Sequence, residues 1–223
     1  MFFLLMPGIL SSAAGGANPE LIVSGQITTS SGISFSDLRS AGAEDGDTLI
    51  FFESNDTGNP STPTGFTSLY ENLDSSPEAM ISYKVLETSD TGSTDYTAFS
   101  GQTDASGVYA IVRNAGALSI NTPNSVLGTS MTFNDKTTTE GSLLFAVVHL
   151  DDDEISDIAD WNDPSNDGWT KSAASASNQG SNGSSTYIAT ATATGGTENP
   201  GTVTLTGAND EYHALVVEVA APA

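Results

Sequence analysis

Two segments of the chain are apolar at almost every position, and each begins just after a glycine. The first follows Gly46 and extends from Thr48 to Glu53. The second follows Gly141 and extends from Leu143 to Leu150. A short apolar run bounded by turn residues is typical of a strand that is buried on both faces or lies at the centre of a sandwich.

The segments that follow these two runs come in the same order, which indicates an internal repeat. Each run is followed by a Gly-aromatic-Thr strand, an aromatic-bearing strand, a polar strand and an apolar closing strand. The Gly-aromatic-Thr strands correspond at 65–67 and 168–170, and the aromatic-bearing strands at 81–85 and 186–189. The closing strands correspond at 109–112 and 213–216. A repeat of this length exceeds a solenoid unit and predicts two halves, about 46–114 and 141–220, of one β-sandwich with a pseudo-twofold axis.

Turn residues divide the chain into short strands, so the predicted fold class is all-β. Residues 36–39 are predicted to form one helical turn, and residues 115–130 a crossover between the halves. Residues 152–161, with acidic residues in the first turn, are predicted to form a helical insertion on one end of the sandwich. The chain therefore divides into an N-terminal arm and linker, 1–19, and a single domain, 20–223, expected to be a two-sheet, jelly-roll-like β-sandwich. The predicted strands cover 20–29, 48–53, 66–71, 79–87, 95–99, 108–113, 143–150, 169–173, 186–193, 202–206 and 212–220.

The charge balance excludes one class of partner. The chain has 28 Asp and Glu against 5 Lys and Arg, a net charge of −23 at pH 7. Such a surface repels phosphate backbones, so nucleic-acid binding is not expected. The acidic residues predict a solvated surface or, alternatively, loops that collect divalent cations. Because there is no cysteine, the chain has neither disulfides nor thiolate chemistry.

The first ten residues, Met1 to Leu10, form an apolar segment that is too short to span a bilayer. The segment resembles a secretion signal but lacks a basic start and is interrupted by a Pro-Gly pair. We expect instead an arm whose residues 2–5 (Phe2, Phe3, Leu4 and Leu5) pack on a neighbouring subunit or on the chain's own domain. Burial of each such side chain contributes about 1.5–3 kcal/mol. Docking on a partner, docking in cis and a secretion signal remain alternatives.

No residue pattern for catalysis stands out. The two histidines, His149 and His213, lie in separate apolar strands, where a single histidine is usually a hydrogen-bonded structural residue. The chain has no Gly-x-Ser-x-Gly elbow, phosphate loop or dinucleotide fingerprint. Carboxylate pairs for glycoside hydrolysis are too numerous for the sequence to select one. We therefore predict a non-enzymatic protein without catalytic residues and without an organic cofactor.

The best candidate for a metal site is the segment that ends at Gly168. Asp163, Ser165 and Asp167 alternate there before the glycine, which matches the first half of a calcium loop. The match fails at Ala174, where a calcium loop places its bidentate glutamate. An acidic turn without a metal is the simpler alternative, and calcium is the ion predicted if a metal binds.

Exposed aromatic side chains could stack on a sugar ring. Trp161 is the main candidate because it lies in the predicted insertion. Phe66 and Trp169 occupy corresponding positions in the two halves and are predicted to be core residues. The full set of stacking candidates is Tyr70, Tyr96, Trp161 and Tyr212.

Several motifs of the first half resemble those of a known family. They are Gly46-Asp47-x-Leu49, Thr64-Gly65-Phe66-Thr67, Tyr83-Lys84-Val85, Tyr96-Thr97-Ala98-Phe99 and Ile111-Val112-Arg113-Asn114-Ala115. This combination resembles a loose family of β-sandwich, jelly-roll-like virion structural proteins of tailed bacteriophages, and the resemblance covers residues 46–220. Phe66 replaces the family's usual Trp, and the second half lacks the Tyr-Lys-Val motif. The resemblance implies a fold and a virion localisation, and it supplies no catalytic residue.

The function implied by this resemblance is that of a non-enzymatic virion structural protein, associated with the tail as a fibre, tip or receptor-binding component. Its expected partners are copies of itself, other virion proteins and a glycan on the host surface. A capsid decoration protein is one alternative. Another is a carbohydrate-binding module that uses Trp161 together with calcium at Asp163, Ser165 and Asp167.

Overall fold

The computed structural model describes residues 16–27, 32–56, 58, 60–73, 77–93, 95–99, 102, 104–128, 130–151, 168–176, 183–204 and 210–223. Strands account for 56% of the described residues and helix for 4%, which confirms the all-β class. The strands of the first part are β1 (Glu20–Gln26), β2 (Ile33–Ser34), β3 (Thr48–Asn55), β4 (Thr67–Asn72), β5 (Glu78–Val85), β6 (Asp95–Tyr96) and β7 (Ser106–Arg113). Those of the second part are β8 (Leu118–Ile120), β9 (Asn124–Gly128), β10 (Ser130–Thr132), β11 (Lys136–Thr138), β12 (Leu143–Leu150), β13 (Thr170–Ala176), β14 (Ser185–Thr192), β15 (Gly196–Glu198), β16 (Thr202–Thr204) and β17 (Asp210–Val219).

Two antiparallel sheets contain the long strands. The first sheet has the order β1-β7-β3-β5-β4, and the second has the order β13-β14-β12-β17-β8, with β9 pairing on β17 beside β8. Each sheet takes its strands from one part of the chain, the first from residues 20–113 and the second from residues 118–219. Three two-stranded ribbons, β2-β6, β10-β16 and β11-β15, complete the described structure.

The two sheets face each other across a shared apolar cluster. Phe52 of β3 and Phe145 of β12 meet in it, with ring centroids 5.3 Å apart, and both are fully buried. Ile50, Val108, Val147 and Leu215 belong to the same cluster, together with other Val, Ile and Leu side chains from both sheets. Branched and aromatic side chains suit this pleated surface, so the sequence pattern and the packing agree.

The outer faces of both sheets are also covered. Phe35 and Leu38 of helix α1 (Phe35–Ser40) pack on Phe51 of the first sheet. Met131 and Phe133 pack on the outer face of the second sheet. All eight residues of β3 and of β12 are therefore buried, which confirms the two-sided burial predicted for the first apolar run.

Both central strands begin at a glycine turn. Gly46 and Gly141 have φ angles of 87° and 82°, a region that favours glycine. Their N–H groups donate to Leu86 O (2.8 Å) and Ala193 O (2.9 Å), respectively, at the end of the neighbouring strand. We call this end of the two sheets the glycine end.

Of two predictions for the segments that connect the long strands, one is confirmed and the other is wrong. Helix α1 begins at Phe35 and ends at Ser40, which confirms the short helix predicted at 36–39. Residues 115–130 were expected to form a crossover, but β8 and β9 lie there and extend the edge of the second sheet. The predicted helical insertion at 152–161 lies outside the described residues. Among the described residues, no helix is long and apolar enough to cross a membrane.

Candidate functional site: a polar layer between the two sheets

The inner faces of both sheets change from apolar to polar at the end opposite the glycine end. Because side chains alternate along a strand, Ser54 follows Phe52 on the inner face of β3, and His149 follows Val147 on that of β12. We call this end the histidine end and its inner side chains the polar layer. The polar layer consists of Ser54, Ser106, His149, Thr186 and His213, of which none is more than 2% exposed.

Hydroxyl groups connect the two sheets within the polar layer. Thr186 Oγ1 of the second sheet lies 2.8 Å from Ser54 Oγ and 2.9 Å from Ser106 Oγ of the first sheet. The two serine hydroxyls are 3.0 Å apart. Ser184 adds hydrogen bonds to the carbonyl oxygens of Ser54 (3.0 Å) and Asp104 (2.9 Å). Buried hydroxyls need such partners, and here the partners come from the opposite sheet.

The two histidines are direct cross-strand neighbours. His149 on β12 pairs with His213 on β17. His149 Nδ1 lies 3.3 Å from Thr186 Oγ1, and its Nε2 has no hydrogen-bond partner among the described residues. His213 is held from the first sheet, because its Nε2 lies 2.9 Å from Asn72 Nδ2 and its Nδ1 lies 3.4 Å from Tyr70 Oη.

Burial keeps the polar layer uncharged. Burial, and to a smaller extent the neighbouring His213, lower the pKa of His149 to about 3. Burial likewise lowers the pKa of His213 to about 4 and raises the pKa of Tyr70 to about 12. At neutral pH these three side chains are therefore neutral. Thr186 and His149 have the spacing of a nucleophile and a base, but both are 0% exposed, so a substrate has no access to them in this structure.

A buried carboxyl, that of Glu53, lies on the outer face of β3. Its side chain accepts hydrogen bonds from the Thr97 hydroxyl and from Ala98 N–H (2.9 Å). Burial raises the pKa of Glu53 to about 7, although both hydrogen bonds act in the opposite direction. Glu53 therefore contributes stability that is fully present at low pH and is lost as the pH rises through about 7.

A buried ion pair lies near the glycine end. Lys136 Nζ is 3.0 Å from Glu218 Oε2. Glu218 Oε1 accepts hydrogen bonds from Thr139 N–H (2.8 Å) and from the Ser142 hydroxyl (3.0 Å). Burial alone would raise the pKa of Glu218, but the hydrogen bonds from Thr139, Lys136 and Ser142 outweigh it and lower the pKa. The ion pair connects β17 to β11, and the hydrogen bonds from Thr139 and Ser142 connect β17 to the turn before β12.

Most of the predicted site residues lie outside the described residues. These are the arm residues Phe2, Phe3, Leu4 and Leu5, the aromatic Trp161, and the calcium candidates Asp163, Ser165 and Asp167. Asp151, the last described residue before that segment, lies at the histidine end and donates its N–H to Glu211 O (3.0 Å). Gly168, the first described residue after it, lies near the glycine end. No group of three or more His, Asp or Glu side chains suited to a metal occurs in the described ranges.

The described aromatic candidates are engaged in packing. Tyr212 is 1% exposed in the core of the second sheet, and its hydroxyl donates to Ser130 O (3.1 Å), so this candidate is a core residue and not an exposed stacking surface. Tyr96 packs on Phe35, with ring centroids 4.5 Å apart. Trp169 is 7% exposed, which confirms it as a core residue. Phe66 is half-buried and stacks on Phe51 at 4.9 Å.

Sequence reasoning missed the pairing of the two histidines, because each lies alone in its own strand. The signal was present, since antiparallel pairing of Leu143 with Val219 places His149 opposite His213. Choosing that register required knowing that β12 and β17 are neighbours.

Comparisons with known proteins identify no relative of this chain. No protein-family model matches the chain, and searches of curated proteins and of solved structures find no match. A functional proposal therefore depends on the geometry described above and on the sequence resemblance.

Proposed function

We propose that the chain is a non-enzymatic structural protein of a bacteriophage virion, associated with the tail, and that it is a two-sheet β-sandwich with a pseudo-twofold internal repeat. The observation that carries the proposal is the arrangement of strands in the two sheets. Read from corresponding edges, the orders are β1-β7-β3-β5-β4 and β8-β17-β12-β14-β13. If β8 corresponds to β1 and β12 to β3, the two orders are the same.

Local geometry supports this correspondence. The register of β4 shifts between Ser68 and Tyr70, and that of β13 shifts between Lys171 and Ala173. Both bulges come three residues after a glycine with positive φ, Gly65 in one case and Gly168 in the other. A bulge bends a strand at a defined position, so bulges at corresponding positions of β4 and β13 support a structural correspondence between the two sheets.

The way the sheets face each other supports a twofold relation. The β1 edge lies against the β13 edge, where Ser24 Oγ donates to Ser172 O (3.1 Å) and Gln26 Nε2 donates to Ala174 O (2.6 Å). A twofold axis along the strands, between β3 and β12, would also bring β4 to β8. Because each sheet uses one half of the chain, the topology supports duplication more directly than it supports jelly-roll connections, and the jelly-roll-like part stays a prediction.

A structural role fits the interior. The space between the described parts of the sheets is filled by apolar side chains such as Phe52 and Phe145 and then by the polar layer. A filled interior with cross-sheet hydrogen bonds makes a stiff element, which is what a repeated particle component requires. The acidic surface, with a net charge of −23, keeps such an element away from the packaged nucleic acid.

The position of Gly16, which lies in the linker after the apolar arm, supports attachment through the arm. A Cβ on Gly16, the first described residue, would lie 2.9 Å from Pro222, so both ends of the described chain meet. Pro222 lines a cleft of about 400 Å³ with Gly46 and Arg113 at the glycine end. By strand length, the histidine end is roughly 25 Å away. We propose that the arm, through Phe2, Phe3, Leu4 and Leu5, docks on a neighbouring subunit and anchors the glycine end.

The test is the mass in solution of the full-length chain and of a chain that begins at Gly16, measured by light scattering. We expect a defined multimer for the full-length chain and a monomer with unchanged circular dichroism and Tm for the shortened chain. A matched control deletes residues 11–15 alone, which removes linker but keeps the apolar residues and should stay multimeric. Two monodisperse monomers would contradict the proposal.

The two alternative functions stay predictions. A capsid decoration protein shares the same architecture and differs in its position on the particle. A calcium-dependent carbohydrate-binding module depends on Trp161, Asp163, Ser165 and Asp167, which lie outside the described residues. A glycan array with and without a chelator, with the Trp161→Ala variant alongside, tests the carbohydrate-binding alternative.

A further inference from the structure

We propose that the polar layer is an acid-sensitive latch: protonation of His149 and His213 separates the two sheets at the histidine end while the apolar layers hold the rest of the fold together. The inference concerns a conformational change within the chain and does not depend on the proposed virion role.

The two histidines take part in the contacts that join the sheets at this end, and Asn72 Nδ2, which can only donate, needs an unprotonated His213 Nε2. Asn72 and Tyr70 of β4 reach across from the first sheet to the two ring nitrogens of His213. His149 contacts Thr186, whose hydroxyl also joins Ser54 of the first sheet. Two residues nearer the glycine end on the inner face of β3, the contacts between the sheets are apolar, as between Phe52 and Phe145. Protonation of the histidines does not change these apolar contacts.

No described group compensates a positive charge on either imidazole. His149 faces His213 from β17 and Thr186 from β14. His213 faces His149 from β12, Tyr70 and Asn72 from β4, and the Pro77 carbonyl from the segment before β5. Among these neighbours there is no carboxylate. Two protonated imidazoles on adjacent strands would repel each other and would lack counter-charges.

Glu78, Asp56 and Asp104 are acidic residues on the first-sheet side of this end, where Glu78 pairs with Asn55 at the end of β3. Burial raises the pKa of Glu78, and the charges of Asp56 and Asp104 raise it further. None of the three forms a described hydrogen bond or ion pair with an imidazole. Their protonation in acid could nevertheless loosen the same end, so the test must separate their effect from that of the histidines.

Linkage gives the sign and the size of the effect. The ordinary histidine pKa is 6.5, and burial lowers that of His149 to about 3 and that of His213 to about 4. A lowered histidine pKa means that the closed state keeps its full stability above pH 6.5 and loses it as the pH falls. At pH 5, a solvated imidazole favours the opened state by about 30-fold per histidine relative to the buried one. Glu53 acts in the opposite direction, because acid protonates and stabilises its buried side chain.

The experiment is amide hydrogen exchange at pH 7.5 and pH 5.0, corrected for the intrinsic pH dependence and read by mass spectrometry. At pH 5.0 we expect peptides from the histidine end (52–56, 78–81, 147–150 and 211–214) to lose protection by about 30-fold for each histidine that becomes solvated, with Glu53 remaining buried on the outer face of β3. Peptides from the glycine end (46–50 and 141–145) should keep their protection. Unchanged protection at the histidine end, or equal loss at both ends, would overturn the latch.

A variant carrying His149→Gln and His213→Gln separates the histidines from the acidic residues. It should remove the loss of protection at pH 5.0, and a response that persists in the variant would assign the opening to other groups and overturn the proposal. If the variant does not fold, the wild-type chain still tests the latch, since its only histidines are these two. Their ring nitrogens, followed by NMR from pH 7.5 to pH 5.0, should stay neutral in the closed state. Titration near 6.5 with unchanged exchange would also overturn the latch.

Discussion

Replacing Phe52 or Phe145 by alanine is expected to lower the free energy of unfolding by about 3–5 kcal/mol in each case. Both rings are 0% exposed and meet at 5.3 Å between the two sheets, so the substitution loses apolar burial and leaves a cavity. Urea denaturation at pH 7, followed by circular dichroism, measures the effect. The matched control is Leu127→Ala, at a side chain that is 58% exposed, which should change stability by less than about 0.5 kcal/mol.

The double variant tests whether the two sheets meet as described. Because Phe52 and Phe145 belong to different sheets and contact each other, their effects should not add. We expect a coupling free energy of about 0.5–1.5 kcal/mol, the range typical of tilted aromatic pairs. Strictly additive effects would mean that the rings do not touch, which contradicts face-to-face packing of the two sheets.

Removal of the Glu218 carboxylate is expected to cost about 3–5 kcal/mol, because it leaves the Lys136 ammonium buried without a counter-charge. The two side chains are only 8% and 11% exposed. The comparison pair is Arg39–Asp45, whose side chains are 21% and 53% exposed. Glu218→Ala and Asp45→Ala should therefore differ clearly, with the second having much the smaller effect because solvent screens an exposed ion pair.

The pH dependence and a compensating variant check the reason for the Glu218 effect. A lowered carboxyl pKa means that the pair stabilises the fold above the ordinary value of 4.5 and that this contribution is lost as the pH falls. Replacing both partners, Lys136→Met with Glu218→Leu, should recover most of the lost stability because no buried charge remains. A double variant as unstable as Glu218→Ala would show that lost packing, and not the unpaired charge, causes the effect.

The sequence pattern predicted the strands of the two sheets well, because their signals are local. The apolar run at 143–150 coincides with β12, and the glycine turns at Gly46 and Gly141 lie where the central strands begin. It missed the edge strands β8 and β9, which are short, polar in part and stabilised by their neighbour β17. Strands of three to five residues take their conformation from pairing more than from their own composition.

The candidate site was harder to predict than the strands, because its residues come from distant parts of the chain. Ser54 and Thr186 are separated by 132 positions, yet their hydroxyls are 2.8 Å apart. Nothing near either residue in the sequence indicates that contact. The same holds for Glu218, an acidic residue in an apolar strand whose partner Lys136 precedes it by 82 positions. Local patterns give the elements, whereas the polar contacts appear only once strand order and register are known.

The most direct measurement of the central claim is the protein composition of density-purified bacteriophage particles that encode this sequence, combined with immunogold microscopy using an antiserum against the purified chain. The proposal predicts that the chain is present in many copies per particle and that the gold label lies on the tail. Label on the capsid would favour decoration over a tail role. Absence of the chain from intact particles, with the protein found only in the surrounding medium, would contradict a virion structural function.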